Sequence, residues 1–291
     1  MTAPVKIACI QIAPFYRDVD ANLEKAERYI LEACENGANL LVLPEVFNVG
    51  SSGACRQQAY ELAELIPGGK TTRWMQQLAE ENSVYICGSI IEEDGVKLYN
   101  TAILVGPDGY IGKFRKLHLC THENYYYEPG DLGIPVFHTP IGRIAMLICK
   151  DTNFPETVRI AALQGADILL APFAGADLMT AYNFPEGMHT MIPASCMYNS
   201  YVNHIYIVGC NRTGNCNGYQ SAGQSIITNA SGGIAAPIAP YDEEVILYAE
   251  VDLSESRRKG LKDRTGGRMI DRRTDLYDPM LGYDPKQFSN Q

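Results

Sequence analysis

Apolar residues fall along this chain in short blocks of two kinds, and the two kinds alternate. Lys6–Ile12 is a mostly apolar run of strand length and reads as a strand. Asp20 stands where it can cap a helix over Ala21–Glu35, and Gly37 is placed to end it. Leu40–Leu43 reads as a short buried strand stopped by Pro44. Thr71–Asn82 reads as a second helix, followed by a strand over Val84–Ile90. Thr101–Val105 and Tyr110–Phe114 flank the turn residues Pro107, Asp108 and Gly109 and predict a hairpin.

The second half repeats the alternation. Ile144–Ile148 is an apolar strand that runs directly into Cys149. Pro155 and Glu156 suit the first turn of a helix extending to Gln164, before Gly165. Ile168–Ala171, Ile205–Cys210, Gln224–Thr228 and Val245–Val251 add strands, with a helix between Pro185 and Val202 and glycine-rich loops at 214–223 and 232–233. No repeat, low-complexity tract or linker divides the pattern, so residues 1–253 are expected to form one α/β domain. From Ser254 the chain turns polar and Arg-rich, and 254–291 reads as a C-terminal arm or tail.

Composition narrows the function classes. Of 291 residues 46% are hydrophobic and 20% charged, ample for a large core. The net charge of −10 argues against a nucleic-acid partner, which calls for a basic face. No apolar window is long enough to span a membrane, and the first residues lack the pattern of a secretory signal. Nine scattered cysteines, several inside apolar runs, read as reduced thiols in a cytoplasmic protein.

Candidate chemistry centres on Cys149. A cysteine at a sharp turn from strand to helix exposes its sulfur beside free backbone N–H groups, which can lower a thiol pKa and hold an oxyanion. Taken alone, a cysteine ending an apolar strand is usually a small buried residue. None of the five histidines stands in a cysteine-protease context, so a carboxylate is the alternative base and a lysine the charge stabiliser. Glu45 and Lys116 each follow a strand pattern and supply those groups. Other motifs fail. Gly68-Gly69-Lys70-Thr71 lacks the first glycine of a phosphate loop, since residue 64 is Glu64. His118 and His122 lack further ligands, so neither a metal nor a cofactor is expected.

Together these segments resemble the nitrilase superfamily, the carbon–nitrogen hydrolases. The likeness runs from Val5 to about Tyr283 and includes Leu43-Pro-Glu45, Lys113-Phe-Arg-Lys116-Leu-His, Glu128-Pro-Gly-Asp131, Cys149-Lys-Asp-Thr-Asn-Phe-Pro-Glu156 and Val208-Gly-Cys-Asn211-Arg. The resemblance implies a four-layer α-β-β-α sandwich. It also implies Cys149 as nucleophile, Glu45 as general base, and Lys116 with the Lys150 N–H as oxyanion donors. Glu123 is implied as a second carboxylate, with Glu128 the competing position. A homodimer or higher homo-oligomer is implied too, with the C-terminal arm packing on a partner subunit.

Segments around Glu123 and Cys149 are similar to N-carbamoyl amino acid amidohydrolases. Thr152 and Asn153 stand where carboxylate-gripping arginines occur in those acting on D-amino acids. That favours a neutral or cationic small molecule, such as a carbamoyl amine or aliphatic amide. Lys150, an unusual residue after the nucleophile, together with Asn153 and the run Tyr125, Tyr126 and Tyr127, is expected to line the substrate pocket, and Phe173, Asn183 or Met188 to reach it. A nitrile substrate and a catalytically silent scaffold remain as alternatives.

Overall fold

The computed structural model describes residues 4–51, 53, 55–177, 186–257, 269 and 271–281. The first sheet contains β1 (Val5–Gln11), β2 (Leu40–Val42), β3 (Tyr85–Asp94), β4 (Lys97–Gly106), β5 (Gly109–Arg115) and a late strand, Val245–Val251. Its order is Val245–Val251, β1, β2, β3, β4, β5. The parallel pairs β1–β2 and β2–β3 are crossed over by two helices, α1 (Val19–Glu35) and α3 (Lys70–Asn82), with the short α2 (Arg56–Tyr60) preceding α3. The second sheet contains β6 (Val136–Thr139), β7 (Gly142–Met146), β8 (Ile168–Pro172), β9 (Tyr206–Cys210) and a short strand, Ile226–Ile227, in the order Ile226–Ile227, β9, β8, β7, β6. Helix α4 (Pro155–Leu163) crosses β7 to β8, and α5 (Ile192–Asn203) crosses β8 to β9.

Strand alternation explains why both sheets are covered twice. In β1, Val5, Ile7 and Cys9 point into the core between the sheets, while Ala8 and Ile10 point toward α1 and α3. β2 divides likewise, with Leu40 and Val42 between the sheets and Leu41 on the helix side. Helix α1 answers with Leu23, Ala26, Ile30 and Ala33, spaced to fall on one face. The sheets also meet through sulfur: the Cys210 thiol donates to Ile10 O and Val42 O at 3.2 Å each, and Cys87 Sγ lies 3.6 Å from Met146 Sδ. The result is the expected α-β-β-α sandwich.

Differences from the sequence reading are local. The α1 cap is Asp18, which accepts from Ala21 N at 3.1 Å, rather than Asp20, which lies inside the first turn. β3 and β4 run longer than expected because Gly95, at φ 62°, lets them join as a hairpin. β6 and α2 were not anticipated. Past Leu253 the chain still packs on the core: Ser256 Oγ donates to Asp167 Oδ1 at 3.0 Å, and Arg257 Nε lies 3.2 Å from the same oxygen. A further helix, α6 (Thr274–Leu281), follows. No described helix is long and apolar enough to cross a membrane.

Candidate active site

Glu45, Lys116 and Cys149 come from different elements, and each is fixed by local geometry. Leu43 N–H donates to Cys87 O at 2.7 Å, keeping the end of β2 against β3. Beyond Pro44, Glu45 N–H donates across to Phe173 O of the second sheet at 3.2 Å. Val46 then takes φ 43°, a conformation a β-branched residue rarely adopts, and its N–H is held by Ser89 Oγ at 2.9 Å. Lys116 lies just past β5, its N–H donating to Asn100 O at 2.9 Å and its carbonyl accepting from Gly130 N–H at 2.8 Å. Cys149 opens a short 3-10 turn, Cys149–Asn153, between β7 and α4, and takes φ 48°. A non-glycine residue at positive φ between strand and helix is the strained geometry of a nucleophile elbow.

The three converge at one cavity of about 500 Å³, lined by Glu45, Lys116, Cys120, Glu123, Cys149 and Phe173 among others. The Lys116 ammonium donates to Glu45 Oε1 and Glu123 Oε2, both at 2.7 Å. Asn100 Nδ2 donates to Glu45 Oε1 at 2.7 Å and to Glu123 Oε1 at 3.1 Å. Asn100 is itself oriented by Ser89 Oγ, which donates to its Oδ1 at 3.1 Å. Glu45 Oε2 remains buried with no hydrogen-bond partner among the described residues. Burial alone would lower the pKa of Lys116. The carboxylates of Glu45 and Glu123 outweigh it and hold the ammonium well above its usual range.

Cys149 departs from the expectation of an acidified thiol. Its hydrogen bond with Cys120, burial and the nearby Glu45 carboxylate push it well above the ordinary thiol range, against the pull of Lys116. The same bond holds the Cys120 thiol low. Cys149 is therefore a neutral thiol at rest, one that needs a base to become a nucleophile.

Asp151 ties the lysine segment to the elbow. Its buried carboxylate accepts from His118 N–H at 2.8 Å, contacts His118 Nδ1 at 2.8 Å, and accepts from Ile148 N–H at 3.2 Å. His118 stacks on Phe154, with ring centroids 3.8 Å apart. From the other side, Asn199 Nδ2 of α5 donates to Thr152 O at 3.0 Å.

Of the residues expected to line the pocket, Lys150, Asn153 and Phe173 do so. Of the three tyrosines expected there, the buried Tyr126 lines the wall and Tyr125 and Tyr127 do not; Tyr125 is 73% exposed, because the helical turn Thr121–Tyr125 rotates successive rings to opposite sides. Met188 is not among the lining residues, and Asn183 lies outside the described residues. Glu128, the competitor of Glu123, pairs instead with Arg56 at 3.2 Å. Sequence reasoning missed Asn100, Cys120 and Asp151. A lone amide in the apolar run Leu98–Val105 was a usable signal for Asn100, and the motif position of Asp151 for that residue; Cys120 offered none. Among the described residues no group of His, Cys, Asp or Glu is arranged to hold a metal.

Comparisons with known proteins agree with this picture. A sequence profile of carbon–nitrogen hydrolases matches residues 6–259. The chain is 38% identical over 259 residues to a Pyrococcus abyssi protein named nitrilase, covering 89% of this chain and 94% of that one. It is 32% identical over 298 residues to N-carbamoylputrescine amidase of Solanum lycopersicum, covering 96% of each. Among solved structures, Nit3 of Saccharomyces cerevisiae, a member of branch 10 of the nitrilase superfamily, superposes with TM-score 0.78 at 27% identity, covering 91% of this chain and 96% of that one.

Proposed function

The chain belongs to the carbon–nitrogen hydrolase family, and on that premise we propose that it hydrolyses a small linear amide or N-carbamoyl compound through a thioester on Cys149. The observation that carries the reading is the state of Glu45. One carboxylate oxygen is committed to Lys116 and Asn100, while the other is buried and unpartnered beside a neutral thiol. That is the arrangement a general base requires.

Glu45 takes the thiol proton as Cys149 sulfur attacks the carbonyl carbon. The oxygen, now negative, accepts from the Lys116 ammonium and the Lys150 N–H. Glu45 returns the proton to the leaving nitrogen, the carbon–nitrogen bond breaks, and ammonia departs. Water then gives a proton to Glu45 and attacks the thioester, releasing the acid and the free thiol. From an N-carbamoyl compound the acid is a carbamic acid, which decomposes to carbon dioxide and an amine. Glu123 acts through Lys116 as a positioning residue. The nine cysteines, none disulfide-bonded among the described residues, fit a reducing, cytoplasmic setting. Exposed Ile160 and Leu163 on α4 and Tyr198 and Tyr201 on α5 support a homodimer.

The test is ammonia and carbon dioxide release from carbamoyl amines, carbamoyl amino acids, aliphatic amides and nitriles. Nitriles form the second reading, because of the name of the Pyrococcus abyssi relative. Cys149→Ala should abolish turnover and Glu45→Gln should lower it at least ~10²-fold, the scale of losing one reaction-stabilising group. Hydrolysis surviving in Cys149→Ala would remove the mechanism.

A further inference from the structure

A second thiol stands beside the nucleophile. Of the nine cysteines, all within the described residues, Cys120 and Cys149 alone line the active-site cavity. Both are partly exposed, whereas Cys9, Cys87, Cys196 and Cys210 are buried in the core. The two thiols are hydrogen-bonded to each other. The segments that carry them are laced by bonds between flanking residues. Lys150 Nζ, one residue after Cys149, donates at 2.7 Å to the carbonyl of Leu119, one residue before Cys120. Asp151 Oδ1 accepts from His118 N–H at 2.8 Å, and Asp151 Oδ2 from Leu117 N–H at 3.4 Å. Each cysteine is also braced on its own side. Glu123 N–H donates to Cys120 O at 2.6 Å, Cys120 N–H donates to Glu123 Oε2 at 2.7 Å, and Thr152 Oγ1 donates to Cys149 O at 2.9 Å. The Lys116 ammonium favours the thiolate of either cysteine. The hydrolytic steps use Cys149 and give Cys120 no part.

An accessible sulfur with a second thiol held against it is the arrangement in which peroxide oxidation stops at a disulfide. We propose that Cys120 and Cys149 are a reversible redox pair: hydrogen peroxide closes them into a disulfide that silences the site, and a dithiol reopens it. Cys120 reacts first, since its bond with Cys149 holds its thiol low and holds Cys149 high. Its sulfur attacks one peroxide oxygen and the O–O bond breaks. The departing hydroxide takes the Cys120 proton and leaves as water, and Cys120 becomes a sulfenic acid. Glu45 then takes the Cys149 proton, the Cys149 sulfur attacks the sulfenic sulfur, and the S–O bond breaks. The second hydroxide recovers that proton from Glu45 and leaves as water. The pair loses two protons and two electrons, and peroxide becomes two waters. A dithiol reverses the bridge by thiol–disulfide exchange and is itself oxidised to a disulfide. Bridged, the Cys149 sulfur cannot attack a carbonyl carbon, and it is shielded from irreversible oxidation to the sulfinic acid. In a reducing compartment such a bridge is transient, so the open dithiol is the resting form.

The full chain should be treated with hydrogen peroxide, quenched with catalase, alkylated without reduction and digested, and its peptides read by mass spectrometry. Wild type should yield a peptide pair joined through Cys120 and Cys149, which dithiothreitol separates. Ammonia release should fall as the joined pair accumulates and return with dithiothreitol. In Cys120→Ser no resolving thiol stands beside the nucleophile, so Cys149 should pass on to the sulfinic acid. The share of its own starting activity that dithiothreitol restores should then be about tenfold below that of wild type. The joined peptide is read on wild type alone, so it decides the matter if the variant does not fold. Peroxide-treated wild type without that peptide, Cys149 joined to a different cysteine, or a bridged enzyme that keeps its turnover would each overturn the proposal. Equal recovery in Cys120→Ser would do the same. The bridge is independent of the hydrolase reading: if no amide, carbamoyl compound or nitrile is turned over, that reading falls while the joined peptide and its release still decide the pair.

Discussion

Glu123→Gln changes no volume and removes one charge, so its effect can be worked from the contacts. Glu123 Oε2 accepts from Lys116 Nζ and from Cys120 N–H, each at 2.7 Å, and Oε1 accepts from Asn100 Nδ2 at 3.1 Å. All three partners are donors, whereas a glutamine amide has a single acceptor oxygen. Turned with that oxygen toward Lys116, the new NH₂ faces the Asn100 amide. Turned the other way, it faces the ammonium. The better orientation still weakens one charge-assisted bond to a neutral one, about 1 kcal/mol, and leaves a donor unsatisfied, about 1–3 kcal/mol. Because the Glu123 side chain is 18% exposed, water recovers part of this, and the net loss should be about 2 kcal/mol. The variant should therefore fold and melt roughly 4–8 °C lower. With only Glu45 to hold it, the Lys116 ammonium leaves the position needed for the oxyanion, and kcat should drop ~10²-fold or more. Thermal unfolding and ammonia release measure the two effects. Wild-type melting together with wild-type kcat would refute the reasoning.

Further changes probe other parts of the molecule. Cys120→Ala removes the bond that raises the Cys149 thiol, so the pH profile of Cys149 alkylation by iodoacetamide should move to lower pH; an unmoved profile would deny that bond. Burial tends to raise the pKa of Glu92, but hydrogen bonds from Arg115, Lys113 and Thr101 outweigh it and hold the carboxyl below its usual range. Its stabilising contribution is therefore present above about pH 4.5 and lost as pH falls through the depressed folded value. Glu92→Gln should cost about 3–5 kcal/mol at neutral pH, since it strips a buried bidentate partner from Arg115, and should flatten the acid limb of a stability–pH curve. Gly130→Ala would put a Cβ 2.2 Å from Arg115 O, a backbone clash that should cost at least about 2 kcal/mol and disturb the Gly130–Lys116 hydrogen bond. A variant that melts and turns over like wild type would mean that the segment yields freely.

Much of the sandwich was legible because its strands are buried on both faces and its helices on one. Continuous apolar runs such as Ile7–Ile10 and Leu40–Leu43 therefore stand apart from the periodic stretch of α1. Elements below that threshold escaped: β6, Val136–Thr139, is an edge strand with only partly buried or exposed positions. At the site, Glu45, Lys116 and Cys149 were identifiable because each follows a strand in a distinctive motif. The residues that hold them together were not. A lone amide and a motif position single out Asn100 and Asp151, but their partners Glu45, Glu123 and His118 lie 23 to 55 positions away, and no local pattern marks such pairings. The thiol's direction was also misjudged, since it depends on Cys120, whose contact with Cys149 exists only in the folded chain.

The bond from Glu45 N–H to Phe173 O is where one slab of the protein touches the other at the working end. The sulfur rides on one slab, and the acid and ammonium ride on the other. A small shear between them would leave every strand paired, yet pull the reacting groups out of line, and a misplacement of ~1 Å can cost ~10²-fold in rate. Turnover thus doubles as a gauge of how the slabs are seated. Enlarging or shrinking side chains around Cys87 and Met146, neither of which lines the cavity, should dull the enzyme well before it melts.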